Sequence, residues 1–575
     1  MSTLAQSNGY IDKAHTVNKT IVPNETSGEL LVFEEGLSFW GGVNADTGVV
    51  QDTHHPQYGA CVAGKVVLMP TSRGSCSGSG VLLELALNGH APAALVFHEA
   101  EDTLTLGALI ATHMYDCPVG VVQLCKDSYD SLLMQQHVTI ASDRLTGGSL
   151  TIELSPLDTN TLALSATDRA MLDGEQGEAA LLAMHIIQIM GTAQQAKQLI
   201  DVTRVHIDGC IYASPANLTF ASTMQKMGAK VKVPTTMNAI SVELDKWQSQ
   251  GVPLAFGTSA SQLALAYQSM GSQPTFTCAP YQAKHQRPAV GENIGWSESN
   301  AVIFANSVLG AHTVKHPDFF DLFVAITGRA PRSGVYLDEN RQAKLRLLID
   351  LPENHDDALW PLLGWIAGNL APDQIPILEG LDNIKMSEDN LKALCAAFGT
   401  TSAAPMLHIK GVTPEGHKDA QPGSASIGIT RDMLASAWGT LNTGPEEVDL
   451  VALGSPHFSL AESREFAELM QGQQCATSVH CIITLSRETF IKAHTEGVIT
   501  TLEKAGVKVL RDLCWCSISE PVFPAEARHL VTNSGKYAHY APGLCNRTVR
   551  FASLEDCALA AREARLDKRL PDWLE

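Results

Sequence analysis

Cys278 stands in Thr-Phe-Thr-Cys-Ala-Pro-Tyr (residues 275–281), a thiol beside a Pro-Tyr turn. Downstream, Gly-Glu-Asn-Ile-Gly-Trp-Ser-Glu-Ser-Asn-Ala (291–301) runs straight into an apolar segment that ends at Leu309. Polar side chains at the mouth of a buried element are costly to desolvate unless they find partners. The stretch therefore reads as a site, although cysteine statistics alone would make Cys278 one more inert buried thiol.

Other residues of the same kind are scattered along the chain. Asp-Leu-Cys-Trp-Cys (512–516) is a close thiol pair, and on a strand that spacing puts both on one face. Pro-Thr-Ser-Arg-Gly-Ser-Cys-Ser-Gly-Ser-Gly (70–80) lies between apolar residues 66–69 and 81–87. A Gly/Ser loop between a strand and a helix lets backbone N–H groups converge on an anion. His206 and Cys210 fall in Thr-Arg-Val-His-Ile-Asp-Gly-Cys (203–210), a strand that ends in a polar loop. Arg329 and Arg332 sit in a Gly/Pro-framed loop that suits a carboxylate. Ser534 and Lys536 belong to a further Ser/Gly/Lys loop, 531–537.

These loops need elements to position them. Apolar runs at 30–33, 66–69 and 94–97 predict buried strands in a β-rich N-terminal unit, residues 1–155. From about residue 156 to 575 strands and helices alternate, beginning with a helical stretch after Thr167. Strands are predicted at 203–210, 230–238, 344–349, 406–411, 447–453, 479–485 and 507–510. Ser459 with Glu462 spells a capping box, and Ser486 is a helix N-cap. The class is α/β, a small N-terminal domain followed by larger α/β domains. The polar motifs fall where strands end, the edge at which open α/β sheets bind ligands.

Composition bounds the partners. With 575 residues the chain is too long for one core, and 45% apolar with 18% charged residues is globular. A net charge of −21 works against a phosphate-backbone partner, so nucleic acid is excluded and a small molecule expected. No apolar run reaches the roughly 18 residues a membrane span needs. The N-terminus lacks the features of a secretory signal, so the cytoplasm is expected. The 13 cysteines include no CxxC pair, which argues against a zinc ribbon and, in that compartment, against a disulfide framework. A monomer is expected.

Taken together, Thr-Cys-x-Pro-Tyr (277–281), the 291–301 run, Asn-Ser-Val-Leu-Gly-Ala (306–311), Gly454-x-Pro456-His457, Asp512-x-Cys514 and Thr-Asn-Ser-Gly-Lys (532–536) resemble the large portion of aconitase X. The N-terminal unit, with Ser72-Arg73-Gly74-Ser75, resembles that family's small swivelling portion. The resemblance implies an iron–sulfur enzyme with its site in the cleft between the two portions, dehydrating a hydroxy acid. A fused chain with the small portion first is similar to the branch acting on cis-3-hydroxy-L-proline. The two-chain branch acts on mevalonate 5-phosphate and tends to carry Cys where this sequence has Ser455, which favours a different ligand set here.

That reaction needs a base near Cα, a Lewis acid on the leaving hydroxyl and cations for the carboxylate. The family motifs point to Cys278 and Cys514 as iron ligands. The third comes from Cys210, Cys516 or Cys545, with Cys210 preferred because it ends a strand in the His206 loop. A [2Fe–2S] cluster is favoured over [3Fe–4S] or [4Fe–4S]. Ser75 is the expected base, with His206 or Lys536 competing for that role. Arg73, Gly74, Asn293, Ser299, Asn300, Arg329, Ser455, His457 and Ser534 are the expected substrate-binding residues. The rival class is a cluster-free hydrolase with Ser75 or Cys76 as nucleophile, though no G-x-S-x-G elbow supports it. An RNA-binding relative is disfavoured by the acidic charge.

Overall fold

The structure, a computed structural model, describes residues 17–73, 75–382 and 384–575. In the first part, parallel strands Thr26–Val32, Val66–Leu68, Ala94–Phe97 and Gly120–Gln123 form the centre of a nine-stranded sheet. Val66–Leu68 and Ala94–Phe97 are wholly buried, as parallel strands covered on both faces must be. Antiparallel strands flank this centre, Lys19–Val22 beside Gly120–Gln123 and His137–Ile140 beside Thr26–Val32, and the sheet ends at Ser155–Pro156 on one side and at Arg144–Gly147 and Leu150–Glu153 on the other. The first predicted strand was read at 30–33, but extension starts at Thr26. Residues 26–29 pair with His137–Ile140, whose burial alternates, so one face of this ladder is exposed and needs no apolar run.

The rest of the chain builds three parallel sheets. One is Thr235–Met237, Val205–Ile207 and Gly295–Trp296, with Val205–Ile207 in the middle. The second orders His408–Ile409, Pro376–Glu379, Leu345–Ile349 and Ala425–Ile429. The third orders Val507–Arg511, His480–Leu485, Leu450–Phe458, His529–Thr532 and Thr548–Phe551. A two-stranded antiparallel pair, Leu199–Asp201 with Arg329–Pro331, lies apart from these. The architecture is thus mixed α/β with mostly parallel sheets. Among the described residues no helix is long and apolar enough to cross a membrane.

Three local differences from the sequence reading have physical causes. The stretch read as one helix after Thr167 is two, Ala166–Leu172 and Glu178–Ala193, parted by Gly174 and Gly177 at positive φ. The strand read across 230–238 starts only at Thr235, after Pro234, which has no N–H to donate to a ladder. The strand read as ending before Gly454 continues to Phe458 through a bulge. Leu453 pairs with Ile483 and Phe458 with Leu485, leaving 454–457 pushed out of register. Gly454 holds φ +96, and a Cβ there would lie 2.2 Å from the Thr484 carbonyl oxygen, so only glycine fits.

The small sheet docks through its first two helices. The Glu84 carboxylate accepts the Ala216 N–H at 2.6 Å, at the start of helix Pro215–Lys226. The Ser79 hydroxyl donates to the Asp318 carbonyl at 3.1 Å, and the Asp318 N–H to the Cys76 carbonyl at 3.3 Å. Gln194 donates to the Asp102 carboxylate at 2.9 Å. Residues 157–165, including a single 3-10 turn at Thr159–Thr161, join the small sheet to the large region.

Candidate active site

Parallel strands deliver the polar residues to one place. Asp208 follows Val205–Ile207, Asn238 follows Thr235–Met237, and Ser297 and Glu298 follow Gly295–Trp296. Cys514 and Cys516 come soon after Val507–Arg511, and Ser534 and Lys536 after His529–Thr532. This is the carboxyl edge at which ligands bind in open α/β sheets.

The floor of the site is made of thiols. Cys278, Cys514 and Ala239 form one buried apolar cluster with Cys516 packed against it. Contact with the Cys278 thiol, together with burial, pushes the Cys514 thiol far above the ordinary range, and its contact with Cys514 and burial do the same to Cys516. Cys514 and Cys516 lie at a turn rather than on a strand, yet the turn still brings both thiols to Cys278. Cys210 does not join them. Its thiol donates to backbone carbonyls, those of Ile207 at 3.6 Å and Asn238 at 3.5 Å, and it packs in a different core cluster. The Cys545 thiol meets the Ala541 carbonyl of its own helix at 3.0 Å.

Both cysteine turns are strained and share one clamp. Phe276 (φ 44) and Asp512 (φ 67) are left-handed non-glycine residues, and each lies just before a site cysteine. Such conformations cost about 1–2 kcal/mol each and persist only where surroundings enforce them. Arg487 enforces both. Its guanidinium binds the buried Asp512 carboxylate in bidentate fashion at 2.6 and 2.7 Å and stacks over the Phe276 ring at 4.8 Å. Asp512 also accepts the Leu244 N–H at 3.2 Å, and its carbonyl accepts that of Ile240 at 2.7 Å.

Above the thiols lies a buried ion pair, Lys536 Nζ to Glu298 Oε1 at 2.8 Å. Burial alone would raise the Glu298 carboxyl, but the Lys536 ammonium and the Asn300 and Asn238 amides outweigh it and hold the group down at about 2. Burial would lower Lys536, but Glu298 and the three thiols carry it well above the lysine range. The ammonium form of Lys536 is favoured, and in that form it has no lone pair with which to accept a proton. Asn300 is fully engaged: it accepts the Tyr281 hydroxyl at 2.8 Å and donates to the Cys278 carbonyl at 3.0 Å and to Glu298 at 2.6 Å.

The roof faces the small sheet. Ser75 is half-buried, and its Oγ accepts the Ser77 N–H at 3.2 Å, where helix Gly78–Leu87 begins. The Cys76 thiol lies 3.5 Å from Asp208 Oδ2 and 3.7 Å from the Ser297 carbonyl. Asn238 donates to both Asp208 and Glu298. Burial drops His206 to about 4, so its imidazole is neutral at pH 7. Its Nδ1 meets Thr236 Oγ1 at 2.8 Å, and that hydroxyl has the Val205 carbonyl as its acceptor at 3.4 Å. Nε2 is buried without a hydrogen-bond partner. Ser297 Oγ, Ser455 Oγ and Asp318 Oδ1 are likewise buried without partners. Several unsatisfied groups in one structure call for a specific explanation, and a missing ligand is one.

Other expected residues are placed elsewhere or occupied. Arg329 binds Asp168 in bidentate fashion at 2.8 and 3.0 Å and Asp201 at 2.6 Å, so its guanidinium is taken up by partners distant in sequence. Arg73 is exposed, with Glu35 at 3.8 Å. Asn293 precedes Gly295–Trp296 and so lies at the strand edge opposite Ser297 and Glu298; its carbonyl accepts the Thr203 N–H at 3.0 Å. Both ring nitrogens of His457 have protein partners, Leu513 O at 2.6 Å and Thr277 Oγ1 at 3.2 Å, while its backbone N–H donates to Cys278 Sγ at 3.3 Å. Ser534 caps helix Gly535–Cys545 and donates to the Ser455 carbonyl. Ser299 opens helix Ser299–Phe304, which passes into a π-helical turn at Ala305–Leu309. Gly74 lies outside the described residues.

Asp208, Asn238, Glu298 and Asp318 were missed as site residues. Asp208 had a signal in the Ile-Asp-Gly strand end, whereas Asp318 had none. Three thiols at one buried spot beside a buried ammonium form a donor set that suits an iron–sulfur cluster.

Comparisons with known proteins cover the chain end to end. Residues 15–147 match the aconitase X swivel domain, 161–339 the aconitase X first domain, 343–439 the second and 448–563 the third. The chain is 45% identical over 571 residues to cis-3-hydroxy-L-proline dehydratase of Pseudomonas aeruginosa, covering 97% of this chain and 98% of that one. It is 43% identical over 588 residues to the protein of that name from Hypocrea jecorina, covering 98% and 97%. The phosphomevalonate dehydratase large subunit of Methanocaldococcus jannaschii is 32% identical over 401 residues, covering 68% of this chain and 98% of that one. The crystal structure of Thermococcus kodakaraensis aconitase X in its holo form is 30% identical and superposes with a TM-score of 0.63, covering 69% of this chain and 100% of that one.

Proposed function

The chain belongs to the aconitase X family, and on that premise we propose that it dehydrates cis-3-hydroxy-L-proline to Δ1-pyrroline-2-carboxylate. The observation that carries this reading is the 45% identity to a dehydratase of that name across 97% of the chain, swivel portion included. The phosphomevalonate large subunit answers to only 68% of it.

The reaction removes the Cα proton and the C3 hydroxyl, leaving an enamine that tautomerises to the cyclic imine. Ser75 takes the Cα proton. Its oxygen faces the Ser77 amide at the opening of a helix, where N–H groups and the helix dipole favour the alkoxide. His206, neutral and with its Nε2 unpartnered, is the alternative base within the same set of residues. Lys536 offsets the negative charge of the thiol floor while tying Glu298 in place. Cys516 replaces Cys210 as the third thiol of the ligand set. An iron–sulfur cluster held by Cys278, Cys514 and Cys516, one thiolate short of the four such clusters take, supplies when bound a Lewis acid for the departing hydroxyl.

The test is direct. Protein purified without oxygen and incubated separately with cis-3-hydroxy-L-proline and mevalonate 5-phosphate should convert only the first, with pyrroline-2-carboxylate as product. Turnover of the phosphate alone would overturn the reading.

A further inference from the structure

Four carboxyl groups of the large region are buried where it meets the small sheet: Asp208, Glu298, Asp318 and Asp321. Two are accounted for. Glu298 has Lys536, and Asp321 accepts the N–H groups of Asp208 and Leu322, each at 2.7 Å. Asp208 and Asp318 have only neutral donors, the Asn238 amide and Cys76 thiol at Asp208 and the Ser77 hydroxyl and Cys76 thiol at Asp318. Among the described residues neither forms an ion pair, and Asp318, only 3% exposed, has an Oδ1 with no hydrogen-bond partner. The Cys76 thiol joins them, the donor atoms of all three residues lying within 4.8 Å of one another. Carboxyl groups held this way are stable only beside a cation or a proton.

We infer that Cys76, Asp208 and Asp318 form a subsite for the cationic ring nitrogen of the substrate, a secondary ammonium. This rests on the proposed dehydration of a hydroxyproline. A pyrrolidinium nitrogen carries two N–H donors, and the pair offers one carboxylate to each. The nitrogen is bonded to the same Cα whose proton Ser75 takes, and Ser75 adjoins Cys76 in the chain. The loop is pinned to the acceptor it would need, since the Asp318 N–H donates to the Cys76 carbonyl. The subsite is completed only when the small sheet is docked, because Cys76 comes from that sheet and both aspartates from the large region. A pair of carboxylates also repels a phosphate, which separates an amino-acid substrate from a phosphorylated one.

Two ring carboxylic acids that differ only in the ring atom test this on the full-length, iron-loaded protein: L-proline, with an ammonium, and (S)-tetrahydrofuran-2-carboxylate, with an ether oxygen. The wild type should bind L-proline at least roughly tenfold more tightly, as a buried charge-assisted pair requires. Asp318→Asn should bring the two within about twofold of each other, leaving the affinity for the ether, the iron content and the visible absorption unchanged. Asp208→Asn is the second variant should the first not fold. Equal binding of the two ligands by the wild type overturns the inference, as does full discrimination in the variants. So does a stoichiometric divalent metal ion, beyond the cluster iron, that is lost in Asp318→Asn. Failure of the wild type to turn over cis-3-hydroxy-L-proline would instead sink the proposed function, so the two failures are distinguishable.

Discussion

The floor and the roof of the site are built on opposite rules. On the floor nearly every polar group is satisfied: Asp512 by Arg487 and Leu244, Asn300 by Tyr281, Cys278 and Glu298, His457 by Leu513 and Thr277, and Lys536 by Glu298. On the roof His206 Nε2, Ser297 Oγ and Asp318 Oδ1 have no hydrogen-bond partner, and among the described residues Asp208 and Asp318 form no ion pair. A satisfied buried network fixes geometry, whereas an unsatisfied one stores a demand for something to bind. On the proposed reading the floor is preformed for the cofactor and the roof takes the substrate.

Substitutions should separate the two halves. The largest effect belongs to the floor: Cys278→Ala or Cys514→Ala should lower iron per chain and cut turnover by at least roughly a thousandfold. Retained iron and visible absorption would break the assignment of these thiols. Ser75→Ala, on the roof, should lower kcat by about 10²–10⁴-fold with iron unchanged. Near-normal turnover would pass the base role to His206, which His206→Gln then checks. Lys536→Met leaves Glu298 buried and uncompensated and should destabilise the protein by about 3–5 kcal/mol, read from thermal unfolding. Arg487→Lys keeps the charge but loses the bidentate fork and the stack on Phe276, for about 1–2 kcal/mol and reduced iron retention.

The smallest effect is a pH response of opposite sign in the two halves. Burial, with Asp321 nearby, raises Asp318 from 3.8 to about 7, and burial raises Asp321 to about 7. Between those values the folded state holds the extra protons, so stability falls as pH rises from about 4 to about 7. Glu298 is held down at about 2 against 4.5, so its contribution is complete above about pH 4.5 and is lost as pH falls toward 2. Thermal melting across pH should show both limbs. Asp318→Asn should flatten only the upper one.

Much of the floor was legible because its chemistry sits at strand ends in short motifs. Cys278, Cys514 and Lys536 were singled out that way and the fold brings them together, and the Ser459 capping box and the Ser486 N-cap are formed. What escaped was pairing across long stretches of chain. Arg329 looked free because its partners Asp168 and Asp201 are far away in sequence, and the Glu298 partner of Lys536 was hidden for the same reason. That Cys516 rather than Cys210 packs beside Cys278 and Cys514 was hidden because a strand end is visible in the sequence, whereas the side of a turn from which a thiol emerges is not. The roof was least legible, since an unpartnered atom such as Asp318 Oδ1 is a property of the assembled interior.

The joint between the small sheet and the large region, residues 157–165, has a consequence for kinetics. Two phosphomevalonate relatives are named as a large and a small subunit, whereas here both portions share one chain. A tether that short holds Ser75 and Cys76 near their partners at an effective concentration on the order of millimolar or above. Dilution cannot separate them, so specific activity should stay constant down to nanomolar protein, where a two-chain relative would dissociate.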